Sequence, residues 1–286
     1  MSAVELVCPV CREPLLPVDN SLRCSNGHSF DRARQGYWNL LLAQKKRSKA
    51  PGDNAEMVQA RQRFLEAGHY APLCDAIVKL LSRQLPYPAD TRLLDLGCGE
   101  GWYTDRLQRQ LGASMTGLDI SKDAVKTACR RNPAITWLVA TGADIPLADA
   151  SVDAATLIFS RLMPEPTARV LKPGGLLLVV YPGPDHLLAL RQLIYTEVRA
   201  SSGFDPAAQL QELFEPVTEE SLCFNFNLEA PEAIQDLLAM TPHGQRLKAE
   251  ARSRIAACGQ LQEQADFRLA LFRKRTAVEA DAPEQA

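Results

Sequence analysis

Apolar and polar positions along the chain fall into two alternating periods. Residues 92–96 form a short apolar run that reads as a buried strand, and residues 102–111 carry the three-to-four-residue spacing of an amphipathic helix. Further strands are predicted at 114–120, 135–140, 154–159 and 176–181, with a helix over 121–131 between the first two. This strand and helix alternation predicts an α/β fold with a doubly wound, mostly parallel sheet. Upstream, helices are expected over 53–66, with Asp53 as cap and Met57, Ala60 and Phe64 on one face, and over 76–85. Downstream, a helix is expected over 182–200. The segment 201–264 is less regular, with a strand at 221–228 and a helix at 231–240, and 267–272 reads as a closing strand. The small, acidic residues 276–286 read as a disordered tail.

The first strand runs into Leu94-Asp95-Leu96-Gly97-Cys98-Gly99-Glu100-Gly101, three glycines at alternate positions before a helix. Without a Cβ the backbone turns sharply and lets a ligand approach, while helix N-terminal amides offer donors to a polar group. The spacing is one residue shorter than the dinucleotide fingerprint, which points away from NAD. Asp119 ends the next strand roughly 20 residues on, where a carboxylate accepts both hydroxyls of a ribose. Alternatively, Asp119 caps the helix starting near Ser121. Gly97, Gly99, Gly101 and Asp119 resemble the S-adenosylmethionine site of class I methyltransferases, whose pattern implies that Asp95 orders the loop and approaches the methionine amino group.

Composition narrows the setting. The chain has 286 residues, 46% hydrophobic and 23% charged, with a formal net charge of -2, as expected for a globular protein with one large domain and a small one. No apolar run approaches the roughly 18 residues of a membrane span, and the first 20 residues have no signal-peptide core. A cytoplasmic location with reduced thiols is therefore expected.

Three of the eight cysteines cluster near the start. Cys8-Pro9-Val10-Cys11 and Cys24-Ser25-Asn26-Gly27-His28 form two knuckles, and four soft ligands at this spacing close a tetrahedron around a structural zinc. Between Asp31 and Lys49, six cations (Arg32, Arg34, Lys45, Lys46, Arg47 and Lys49) face one acid, with Tyr37 and Trp38 interleaved. Cations meeting phosphates and rings stacking splayed bases suit single-stranded or looped RNA, although a solvated linker face would look the same.

Those knuckles together with Gln35-Gly36-Tyr37-Trp38-Asn39-Leu40-Leu41, Arg47-Ser48-Lys49-Ala50-Pro51-Gly52-Asp53, Phe64-Leu65-Glu66-Ala67-Gly68-His69-Tyr70, the glycine loop and Pro182-Gly183-Pro184-Asp185-His186-Leu187 resemble the RlmA family of 23S ribosomal RNA guanine-N1 methyltransferases. The match is close from about residue 8 to residue 198. It implies a zinc-binding domain over 1–34 that helps recognise an rRNA hairpin, a basic linker with helices over 35–90, and an S-adenosylmethionine-dependent methyltransferase domain over 91–275 that pairs with a second copy. It also implies cofactor contacts from Tyr70, Gly99, Glu100 and His186. Chemistry alone leaves Asp185, Glu100 and His186 open as aids to deprotonating guanine N1.

Three positions depart from the pattern. Thr141 stands where many class I methyltransferases carry an acid for the adenine amine, so backbone groups at 140–142 are expected to serve instead. Ser160-Arg161-Leu162 replaces an Ala-Pro step, and His243-Gly244-Gln245 stands where aromatics are expected. Two other functions remain open: a methyltransferase for a small metabolite, which would act without RNA, and a non-catalytic RNA-binding protein, which would bind RNA without turnover.

Overall fold

The structure, a computed structural model, describes residues 4–45, 48, 51–198 and 203–276. Lys46, Arg47, Lys49 and the tail from residue 277 lie outside the described residues. The chain begins with an antiparallel sheet of β1 (Leu16–Val18), β2 (Ser21–Arg23) and β3 (Ser29–Asp31). A short strand β4 (Trp38–Asn39) and helices α1 (Ala55–Glu66) and α2 (Ala71–Gln84) follow. The strand and helix alternation then runs β5 (Arg92–Leu96), α3 (Trp102–Leu111), β6 (Ser114–Asp119), α4 (Lys122–Arg131), β7 (Thr136–Val139), β8 (Val152–Ile158), α5 (Pro164–Val170) and β9 (Leu171–Pro182). The C-terminal part adds α6 (Leu188–Ile194), α7 (Pro206–Leu210), β10 (Phe214–Leu228), α8 (Pro231–Ala239), α9 (Ala249–Ala256) and β11 (Leu261–Lys274).

Eight strands form the main sheet in the order β10, β11, β9, β8, β5, β6, β7, β4. The strands from β9 across to β4 pair in parallel, while β11 runs antiparallel to both β9 and β10. The order reverses at β5, since the chain fills β6 and β7 on one side and β8 and β9 on the other. Ligands of open α/β sheets bind outside the carboxyl ends of strands at this switch point. Here the carboxyl end of β5 carries Asp95 and the glycine loop.

Both faces of the sheet are covered, so the central strands are apolar on both sides. Leu93 packs into one layer with Ile77, Leu107 and Leu178, whereas Leu94 packs into the other with Leu147, Leu157 and Leu177. Each such leucine buried contributes about 1.5–3 kcal/mol. The zinc knuckles belong to the second layer: Leu6, Leu15 and Leu22 join the cluster of Leu147, and the Val7 amide donates to the Pro146 carbonyl at 3.0 Å.

Several elements differ from the sequence expectation. The cap of α1 is Asn54, whose Oδ1 accepts from the Met57 amide at 3.0 Å, because Asp53 is drawn into an ion pair with Arg61. The helix expected over 182–200 is confined to Leu188–Ile194, since the Gly183 amide donates to the Asp266 carbonyl and residues before Leu188 follow a turn. The Lys172-Pro173-Gly174-Gly175 turn is absorbed into β9 as an irregularity with Gly174 at φ +75°. β10 and β11 extend well past the expected strands because Glu215 to Asn227 presents a largely polar face to solvent, which weakens the apolar signal.

The basic run is also reassigned in part. Tyr37 is 3% exposed and packs in the core, so its ring is closed to a base. Lys45 pairs with Asp144, and the Arg32 guanidinium lies 5.9 Å from the centre of the Trp38 ring.

Candidate active site and metal centre

A cleft of about 1040 Å³ opens at the switch point, bordered by the glycine loop, Asp119, the end of β8, the end of β9 and the segment after α8. Tyr70, Asp95, Gly97, Gly99, Glu100, Asp119 and His186 all line it; Gly101 does not. The three glycines divide the work. A Cβ on Gly97 would strike the Ser160 side chain, and one on Gly101 would meet the Trp137 ring at 2.6 Å and Ala128 at 2.8 Å. A Cβ on Gly99 would approach only the Arg61 guanidinium, at 3.5 Å. Gly99, at φ +56°, is thus the position where the bare backbone faces the cleft, while Gly101 lets α3 pack on α4 and β7.

Asp119 clamps the loop. Its Oδ2 accepts from the Gly99 amide at 3.0 Å and its Oδ1 from the Ser121 amide at 2.7 Å, while Ser121 itself caps α4. Each carboxylate oxygen keeps a further acceptor position for a ligand hydroxyl. Burial raises the Asp119 carboxyl above its ordinary range, against the pull of those two amides.

Asp95 is 2% exposed and accepts from the hydroxyls of Thr104 at 2.5 Å and Thr156 at 2.8 Å. Burial raises its carboxyl to about 6, although both threonines act the other way. A carboxyl with a higher pKa folded than unfolded favours folding at low pH, and that contribution is lost as the pH rises from about 4 through 6. Asp95→Asn is therefore expected to be more stable than the wild type at pH 7, by about 2 to 3 kcal/mol, with the difference vanishing near pH 4. Urea unfolding at the two pH values checks this, and lower stability of the variant at pH 7 contradicts it.

Tyr70, buried, and His186, half-buried, form a pair. The Asp266 amide donates to His186 Nδ1 at 3.3 Å, so the neutral ring carries its proton on Nε2, which faces the Tyr70 hydroxyl at 3.4 Å. Burial keeps the imidazole neutral by lowering it to about 4, and burial likewise raises the Tyr70 phenol, which stays protonated. The Tyr70 hydroxyl therefore accepts from His186 and has its own proton to donate. Asp185 is exposed, does not line the cleft, and uses its amide to donate to Asp266 at 3.1 Å.

Arg61 was not legible as a site residue in the sequence. It reaches from α1 over the loop, pairs with Asp53 and also faces Glu100 and Asp119. Glu100 is 2% exposed, and burial raises its carboxyl against the opposing influence of Arg61. Phe159 is a second unforeseen residue: it follows β8 with φ +54°, a conformation that costs a bulky residue of order 1–3 kcal/mol. Near the mouth, the Tyr195 hydroxyl and His243 Nδ1 lie 2.9 Å apart, so aromatic character missing from 243–245 is supplied partly by a residue distant in sequence. Thr141 makes a local turn, its carbonyl accepting from the Asp144 amide at 3.0 Å.

At the other end of the chain, one ligand atom from each of Cys8, Cys11, Cys24 and His28 lies within 4.8 Å of the others. The Cys11 and Cys24 sulfurs are 3.7 Å apart, and His28 Nδ1 is 3.3 Å from Cys24 Sγ and 3.6 Å from Cys8 Sγ. Bonds of about 2.3 Å to sulfur and about 2.0–2.1 Å to nitrogen give a tetrahedron with edges of this size. The donor set fits zinc, which these four residues would hold without a further ligand, His28 turning Nδ1 toward the sulfurs.

Sheet order, switch-point glycine loop and clamped strand-end carboxylate define a class I S-adenosylmethionine-dependent methyltransferase. Residues 93–175 match the family described as "Methyltransferase domain", and residues 6–49 match "RlmA, N-terminal". The 23S rRNA (guanine(748)-N(1))-methyltransferase of Streptomyces fradiae is 38% identical over 83% of this chain and 84% of its own length. A Micromonospora griseorubida protein provisionally named a 23S rRNA (guanine-N(1)-)-methyltransferase is 35% identical over 94% of this chain and 97% of its own. The chain belongs to the 23S rRNA guanine-N1 methyltransferase family. By contrast, the malonyl-[acyl-carrier protein] O-methyltransferase of Serratia marcescens is 33% identical over 35% of this chain and 41% of its own.

Proposed function

We propose that this chain transfers a methyl group from S-adenosylmethionine to N1 of a guanine in a hairpin of 23S ribosomal RNA. The observation that carries this reading is the union, in one chain, of the zinc ribbon and the cofactor cleft, over nearly the whole of which the ribosomal RNA methyltransferase relatives align. Relatives acting on carrier-bound malonyl groups align over a much smaller share. The reading places the protein with its substrate in the cytoplasm and includes pairing with a second copy, which sedimentation of the purified chain tests. No helix among the described residues is long and apolar enough to cross a membrane.

S-adenosylmethionine, when bound, supplies an electrophilic methyl group. The chain contributes position: holding acceptor and donor in line at about 3–3.5 Å supplies much of the rate. Asp119 would hold the ribose hydroxyls and Asp95 the amino group, with Gly99 and Glu100 lining the approach. Arg61, one of three arginines lining the cleft with Arg161 and Arg191, would face the carboxylate, and Tyr70 would donate the proton that His186 leaves free. In this arrangement His186 orients Tyr70, because its acceptor nitrogen is already used by Asp266.

Incubating the protein with a 23S rRNA hairpin transcript and labelled cofactor should yield 1-methylguanosine on digestion. Methylation of small acceptors without RNA, or RNA binding without turnover, overturns the reading. The N-terminal cations supply a second check. Replacing Arg34, Lys46 and Arg47 with alanine should lower the slope of log affinity against log salt by about 2 to 3 through lost counterion release, and leave cofactor affinity alone. An unchanged slope would make these charges an ordinary solvated face.

A further inference from the structure

Among the described residues, four large aromatic side chains are exposed: Tyr87, Phe159, Tyr195 and Phe204. Three of them, at 42%, 43% and 40% exposure for Phe159, Tyr195 and Phe204, line the same cleft. Exposed apolar rings gathered at one opening mark a binding surface, whereas single scattered ones need no explanation. The cofactor residues assigned above lie on β5 and its loop, β6, α1 and the Tyr70–His186 pair, and leave Phe159, Tyr195 and Phe204 unused.

Phe159 is the ring nearest the chemistry. It sits at the carboxyl end of β8, beside β5 in the sheet, and the next residue, Ser160, touches Gly97. Its amide donates to the Val180 carbonyl at 3.0 Å, and its backbone lies in the left-handed region. On the protein side its ring centre lies 5.3 Å from Phe267 and 6.4 Å from Tyr70, so the ring is backed by a buried aromatic wall. Backbone strain that the surroundings enforce and that presents a side chain to a cleft is a signature of function. An enzyme acting on a base takes it out of the stack and receives it against aromatic or apolar side chains.

We propose that Phe159 is the platform on which the extruded target guanine stacks, and that its left-handed backbone exists to aim the ring into the mouth of the cleft. The inference rests on the guanine-N1 reading above. Stacking explains why an aromatic occupies a backbone position that favours glycine: glycine would relieve the strain but leave the base without a face.

The test uses the full-length protein, S-adenosylhomocysteine and a 23S rRNA hairpin transcript carrying 2-aminopurine in place of the guanine that the wild type methylates. The wild type should change the 2-aminopurine fluorescence on binding. Phe159→Leu should lose that change and lower kcat/KM for unmodified transcript roughly 5- to 150-fold, the range of one base–aromatic stack, with cofactor affinity retained. Phe159→Tyr should keep both. Phe159→Gly relieves the backbone but gives up the ring's packing on Phe267 and Tyr70; it should keep the wild-type circular dichroism spectrum while losing the fluorescence change, which separates stacking from a folding role. Wild-type kcat/KM and fluorescence in the leucine or glycine variant overturn the proposal while the guanine-N1 reading stands. If the wild type methylates no guanine of the rRNA, the guanine-N1 reading itself falls, and the stacking proposal falls with it.

Discussion

Asp119→Ala is expected to weaken S-adenosylmethionine binding roughly 10- to 150-fold, the loss of one charged hydrogen-bonding group worth about 1.5 to 3 kcal/mol. Two effects act together. The ribose loses its acceptor, and the Gly99 and Ser121 amides lose the carboxylate that holds the loop to the start of α4. The sheet does not depend on this side chain, because Leu118 and its neighbours remain packed and β6 remains paired to β5 and β7. Titration calorimetry beside a circular dichroism spectrum checks both halves; a folded variant with wild-type affinity would show that Asp119 serves only as a clamp.

Cys24→Ser is expected to reduce bound zinc from one ion per chain to none and to release the N-terminal segment. Cys24 Sγ is a corner of the ligand tetrahedron, 3.7 Å from the Cys11 sulfur and 3.3 Å from His28 Nδ1. Zinc-finger peptides draw about 10–16 kcal/mol of apparent folding free energy from the metal. Here the dependence is shared, because Leu6, Leu15 and Leu22 also bury against the catalytic core and the Val7 amide pairs with Pro146. Hydrogen exchange should therefore lose protection over residues 4–31 and keep it through β5 to β9. Elemental analysis gives the metal count. Metal-free protein that methylates rRNA at the normal rate would remove the ribbon from recognition.

The sequence by itself determined the elements whose signals are local. β5 and α3 are set by an apolar run, alternate glycines and an amphipathic helix, and they occur at Arg92–Leu96 and Trp102–Leu111 as the pattern predicts. The zinc ligands are equally legible, since two knuckles at short spacing bring their own donors together. Motif resemblance further named the family. What only the tertiary structure decided involves partners distant in the chain. Asp53 reads as a cap until Arg61 claims it, and Tyr37 reads as a stacking ring until the core closes over it. The proton position on His186 is fixed by the Asp266 amide, 80 residues away, and the Tyr195–His243 contact joins residues 48 apart. In the long antiparallel β10–β11 pair, β10 was weakly written because much of it meets water, and it is held by its pairing to β11, whose Phe267, Leu269 and Leu271 are buried. Phe159 shows the same division: its sequence neighbours predict a strand end, and only the structure shows the left-handed turn there, with its amide on the Val180 carbonyl and its ring at the cleft.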